Sequence, residues 1–149
     1  MKIVVQRVKR ASVTVNGEII GKIGHGLLLL AGIHADDTDE QLEWCCNKIM
    51  KLRIFNDQEG LMNRSVQDVN GEILVVSQFT LYGDTRKGTR PGFTDAAPPE
   101  AAEPIYERMI EIFRQRTDLN VESGVFGAMM DVELVNDGPV TLIIKKEAQ

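Results

Sequence analysis

Hydrophobic positions change period several times along this chain, and each change predicts an element. Ile3 to Val8 reads as a strand. Ser12-Val13-Thr14-Val15 alternates, Asn16-Gly17 supplies the residues a tight hairpin turn prefers, and Glu18 to Ile23 returns. Gly24-His25-Gly26 makes another turn. Leu27 to Ile33 then forms a continuous apolar run of strand length, the pattern of a strand covered on both faces.

The period then becomes helical. Thr38 is placed as an N-cap, with Gln41 three residues on to close a capping box. Leu42, Cys45, Cys46, Ile49 and Met50 fall on one face, and the helix ends near Leu52. Asn56 to Gly60 is turn chemistry, and Asn70-Gly71 is a second hairpin signal. Glu72 to Leu81 reads as one buried strand. A second helix starts near Pro99 or Glu100, with Ala102, Tyr106, Met109, Ile110 and Phe113 as its apolar stripe. Pro104 should kink it or confine its regular part to the residues beyond that proline. Val121 to Phe126 is ambiguous. Met130, Val132 and Leu134 alternate with polar neighbours as a strand, and Val140 to Lys145 is the last strand.

The predicted fold class is α/β of the α+β type. Hairpins dominate, so the sheet should be mostly antiparallel and barrel-like or sandwich-like, with two helices outside it. No repeat or linker divides the chain, and residues 1–149 are expected to form one domain.

Composition narrows the function classes. Apolar content is 43% and charged content 26%, ordinary for a soluble globular protein. No apolar run approaches the roughly 20 residues of a membrane helix, so no membrane partner is expected. The N-terminus lacks the features of a signal peptide. Cys45 and Cys46 are adjacent and unsuited to pair, which points to the cytoplasm. Net charge is −5, which argues against a broad basic face for nucleic acid. Two local basic clusters stand out: Lys2, Arg7, Lys9 and Arg10, then Arg86, Lys87 and Arg90. Either can be plain solvated surface or a local phosphate contact.

Candidate chemistry gathers where Ile73-Leu74-Val75-Val76 delivers Ser77-Gln78-Phe79-Thr80 to the mouth of a Gly- and Pro-containing loop, Tyr82 to Pro99. Ser77 and Thr80 are candidate nucleophiles, but a hydroxyl needs a base to attack an ester. The only histidines are His25 and His34, and no spacing places either beside Thr80. The residues alone leave open an ordinary role in backbone hydrogen bonding. No metal-ligand spacing occurs, the acidic run Asp36, Asp37, Asp39 and Glu40 suits a helix start, and no phosphate loop of Walker or Rossmann type is present. No metal or cofactor is expected. Asn136-Asp137-Gly138-Pro139-Val140-Thr141 is a second notable stretch, though Gly-Pro before a strand commonly marks just a turn.

Read together, these stretches resemble the D-aminoacyl-tRNA deacylases. The likeness also includes Gln6-Arg7-Val8, Ala11 to Val15, Leu52 to Phe55, Met62-Asn63, and Arg90-Pro91 with Phe93. Gly92 departs from the pattern, where Ser is expected. The resemblance implies a barrel-like homodimer with the site at the interface, where the cis Gly138-Pro139 motif of one subunit enters the pocket of the other. It implies hydrolysis of the ester between a D-amino acid and the terminal adenosine of tRNA, with glycyl-tRNA also accepted. The partner is thus the aminoacyl-tRNA acceptor end.

The resemblance places Thr80 at the reacting carbonyl, with Ser77, Gln78 and Phe79 around it. It makes Gly138 and Pro139 the groups that judge handedness and Arg7 the residue that fixes their carbonyls. Two rival readings are a conventional serine or threonine esterase and a non-catalytic binder of tRNA ends or amino acids. The first predicts covalent labelling of Ser77 or Thr80, and the second predicts binding without turnover.

Overall fold

A single long strand, β1 (Lys2–Val15), takes in both of the N-terminal strands that the pattern separates, in a computed structural model that describes residues 1–149. Its first half pairs antiparallel with β3 (Gly26–Gly32), and its second half with β2 (Glu18–Ile23). Asn16 and Gly17 join β1 to β2 with φ of 51° and 78°, the positive pair that a tight hairpin of this hand needs. The other edge of β1 pairs antiparallel with β8 (Asp131–Lys145), one strand where two were expected.

Two strands arrive by helical crossovers. Helix α1 (Asp39–Lys51) lies between β3 and β6 (Glu72–Ser77), and helix α2 (Pro99–Arg116) lies between β6 and β7 (Val121–Ser123). A chain that returns through a helix re-enters the sheet in the same direction. So β3 pairs with β6, and β6 with β7, in parallel. Asn70-Gly71 is therefore a turn but not a hairpin, which corrects the expectation. The small antiparallel pair of this region is β4 (Phe55–Asn56) with β5 (Met62–Arg64). Across the fold four of six strand pairs are antiparallel, so the sheet is mixed and mostly antiparallel. It curls until β2 crosses β7. At Gly21 an added Cβ would lie 3.0 Å from the Ser123 carbonyl oxygen, a tight contact that glycine relieves. The result is the expected barrel-like sheet with two outer helices.

Both helices form for local reasons. The Thr38 N–H donates to Gln41 Oε1 at 2.8 Å and Thr38 Oγ1 accepts from the Glu40 N–H, so the predicted capping box is present. Helix α2 carries Pro99 at its start and runs unbroken through Pro104, against the expectation of a kink or a later start. The carbonyl that loses its partner to Pro104 belongs to Glu100, on the exposed first turn, where water can replace it.

The helices cover one face of the sheet. Ile3, Val5, Leu27, Leu29, Ile73 and Val75 meet the predicted stripes of α1 and α2 there. Val8, Ala11, Val13, Ile23, Leu28, Leu74 and Val76 fill the barrel interior. The run from Leu27 is thus buried on both faces, as its composition requires. Tyr106 ties α2 to the sheet through its hydroxyl, 2.9 Å from the Val75 carbonyl oxygen and 3.2 Å from that of Gly124.

Cys45 and Cys46 are free and buried in the helix-covered layer. Burial pushes the Cys45 thiol up to about 11 and the Cys46 thiol up to about 12. The thiolate is the reactive form, so both should be inert in the folded protein. An aromatic disulfide reagent at pH 8 is expected to label neither thiol until denaturant is added; rapid labelling of the native protein would contradict this packing.

Candidate active site

The end of β6 builds the first cluster. Ser77 is the last residue of the strand, opposite Ala31 of β3. The Gln78 N–H donates to the Ala31 carbonyl at 2.8 Å, and the chain then coils into a 3-10 turn over Phe79–Tyr82. The expected strand to Leu81 therefore stops four residues early. This changes the chemistry available. The N–H groups of Phe79 and Thr80 open the turn and have no acceptor within the chain. Thr80 is exposed, and its Oγ1 accepts from Gln78 Nε2.

Neither histidine activates these hydroxyls. His25 Nε2 lies 3.3 Å from Asp137 Oδ2. His34 packs edge-on against Tyr82 at 5.2 Å, and its Nδ1 accepts from the Asp36 N–H. A base for Ser77 or Thr80 is missing from the hydrogen-bond network.

A cleft of about 350 Å³ opens beside this turn. Ser77 and Phe79 form one wall, and Phe93, Ala97, Pro98 and Phe126 line others. Phe79 and Phe93 meet edge to face at 5.3 Å across its mouth. The lining is mostly apolar, so polar groups at the mouth act in reduced dielectric. Phe126 and the Ala97-Pro98 wall were not singled out as site residues. Their sequence signal is weak, because they come from loops without periodicity.

Arg7, Gly138 and Pro139 form a second cluster. From Gln6 to Val8, β1 advances two residues while its partner β8 runs five, from Thr141 back to Asn136. The excess residues leave the ladder as a bulge. Pro139 suits this place because it has no N–H to leave unpaired. The Gly138-Pro139 bond is cis. Gly138 has a φ of 121°, which favours glycine, and a Cβ there would also lie a tight 3.0 Å from Arg7 Nη2 and from Val140 Cγ2.

Arg7 is 6% exposed. Its Nε donates to the Asp137 carbonyl at 3.1 Å and lies 3.3 Å from Asp137 Oδ2. Its Nη1 donates to the Ile54 carbonyl at 2.7 Å. The anchor is therefore the residue before the Gly-Pro pair, not the carbonyls of the pair. Gly138 and Pro139 themselves face outward, exposed.

The two clusters do not meet within one chain. Ser77 sits opposite Ala31, and Ala31 opposite Ile3. Arg7 lies four residues further along β1, about 13 Å at the ordinary strand rise.

Comparison with known proteins places this geometry in a family. Residues 4–145 match the family described as D-Tyr-tRNA(Tyr) deacylase. The chain belongs to this family. A D-aminoacyl-tRNA deacylase from Geobacillus sp. is 60% identical over 147 residues, covering 99% of this chain and 96% of the relative. Another from Chlorobaculum parvum is 56% identical, covering 97% of each. The solved structure of the c-Myc DNA Unwinding Element Binding Protein is 47% identical with a TM-score of 0.94, covering 99% of this chain and 100% of that one. A probable eukaryotic D-amino acid tRNA deacylase shares the fold, with a TM-score of 0.82 at 20% identity over 96% of this chain and 97% of that one. Membership makes the chain a hydrolase of the deacylase class.

Within this deacylase, Arg7 carries the second cluster. Arg7→Gln strands the Ile54 and Asp137 carbonyls, a loss of about 2–4 kcal/mol. Urea unfolding should show a lower midpoint by that measure. An unchanged midpoint would remove the anchoring role.

Proposed function

We propose that the chain hydrolyses the ester between a D-amino acid and the terminal adenosine of tRNA, releasing both, and that it also clears mischarged glycyl-tRNA. The carrying observation is the pair of unpartnered N–H groups of Phe79 and Thr80 at the mouth of an apolar cleft. Donors fixed in advance stabilise an ester oxyanion, each typically contributing about 3–4 kcal/mol. The ribose hydroxyl next to the ester activates it, so no histidine base, metal or cofactor is needed. Thr80, placed by its bond from Gln78, orients the carbonyl, and Ser77 shapes the cleft wall.

Selection by handedness needs a surface that rejects the L-form at Cα without gripping the side chain. Main-chain carbonyls of Gly138 and Pro139 suit this, since they cannot rotate away as a side chain can. Arg7 takes part by fixing the bulge through the Asp137 carbonyl. Glycine, having no side chain, passes such a filter. The separation of the clusters supports a homodimer in which the exposed Gly-Pro bulge of one subunit enters the cleft of the other. The free edge of β8 offers a place for that contact. All 149 residues then act as one domain. The partners are the acceptor end of tRNA and a second copy, and the work is proofreading in the cytoplasm. No helix is long and apolar enough to cross a membrane.

Two measurements test this reading. D-tyrosyl-tRNA should be deacylated far faster than L-tyrosyl-tRNA; equal rates would sink the filter. Thr80→Ala should keep its rate within roughly tenfold, because it loses one side-chain hydrogen bond and keeps its N–H. A fall of about 10⁴-fold or more with binding intact would make Thr80 a nucleophile instead.

A further inference from the structure

The loop that follows the 3-10 turn holds a second concave surface. The Asp84 N–H donates to the Gly92 carbonyl at 2.7 Å, and the Gly92 N–H donates back to the Asp84 carbonyl at 3.0 Å. This clamps the neck of a loop that carries three cations. The groove beside it is lined by Asp84, Arg86, Lys87, Arg90, Gly92 and Thr94, with no hydrophobic side chain.

The charges in the groove are unequal in their commitments. Arg86 is held by Asp84, with Nε at 2.9 Å from Oδ1 and Nη2 at 2.8 Å from Oδ2. That pair neutralises itself. Lys87 and Arg90 make no hydrogen bond or ion pair with any other side chain. The groove therefore carries two free positive charges on a chain whose net charge is −5. Gly92 leaves its side of the groove open, since a Cβ there would touch nothing within 4 Å.

Position gives the groove a meaning. Gly92 and Thr94 line it, while Phe93 between them lines the apolar cleft and packs on Phe79. Cleft and groove share one three-residue segment. A ligand with an apolar or aminoacyl end in the cleft would lead its remainder past Lys87 and Arg90.

We infer that this groove binds backbone phosphates of the RNA strand whose aminoacylated end occupies the cleft, with Lys87 and Arg90 as the contacting residues. The inference rests on the deacylase reading. These residues add affinity and register, and they do no chemistry.

The test compares two substrates. One is D-tyrosyl-tRNA; the other is the D-tyrosyl ester of adenosine, which has no phosphate. For the double variant K87Q/R90Q, KM for the tRNA should rise roughly tenfold at moderate salt, with kcat kept. The slope of log kcat/KM against log salt should flatten by about 1 or slightly more. Hydrolysis of the adenosine ester should not change. Lys22→Gln, a charge loss on β2, should leave both substrates alone. The inference is overturned if the double variant matches wild type on tRNA, if both substrates suffer equally, or if Lys22→Gln raises KM for the tRNA as much as the double variant does. A wild-type chain that hydrolyses neither substrate overturns the deacylase reading and the groove together.

Discussion

Arg7 fills a gap in the longest ladder of the sheet, and the layout of the candidate site depends on it. Where β8 bulges away between Asn136 and Thr141, backbone groups lose their strand partners. A buried carbonyl without a donor costs about 1–3 kcal/mol. The guanidinium answers this by donating to Asp137 on β8 and to Ile54 beyond α1 in one rigid fork. A strand, a bulge and a distant loop are thereby locked together. His25, 3.3 Å from Asp137, backs the same carboxylate from the turn before β3. The bulge is therefore a supported projection from the sheet, not a loose loop.

The other cluster arises from the opposite event, a strand that ends early. Ser77 is the last paired residue of β6, and the Gln78 N–H takes the last carbonyl that β3 offers. A 3-10 turn begins at once, and its first N–H groups have nothing to bond. In water such groups are satisfied at little cost. Beside an apolar cleft the same groups are free to meet a ligand, and on the deacylase reading an oxyanion is the partner that suits them. Strand termination, not an added catalytic side chain, is what makes this turn chemically useful on the deacylase reading.

Much of this was legible in residues, and the failures have physical causes. Thr38 and Gln41 foretold α1 because capping is local. The stripe Ala102, Tyr106, Met109, Ile110 and Phe113 foretold α2 because helical burial is periodic. The continuity of β1 was hidden by Lys9 and Arg10, two successive exposed charges that break the alternation between Val8 and Ala11. Parallel pairing of β6 was hidden because Asn70-Gly71 carries a hairpin's local chemistry while the partner strand is decided by the helical crossover. Phe79 and Leu81 extended an apolar run past the point where hydrogen bonding stopped. The cleft wall of Ala97, Pro98 and Phe126 left no trace, since nothing periodic connects those positions. The motif residues were found through family likeness, and their separation into two clusters came from geometry alone.

That separation bears on how one small chain could judge handedness. A group that stabilises charge must sit at the reacting carbonyl, while a group that rejects one hand must press on Cα from another side. Both demands are hard to meet from one strand end, because a rigid turn presents its donors in a single direction. On the proposed reading the filter sits on an outward-pointing bulge of β8 beside Arg7, about 13 Å along β1 from the Ile3 position, and it would approach the cleft of a second copy from across an interface. Each surface is then rigid by its own means, the turn through its strand end and the bulge through Arg7. On that reading their alignment would depend on how two copies pack, and a symmetric pair would complete two sites from two identical chains.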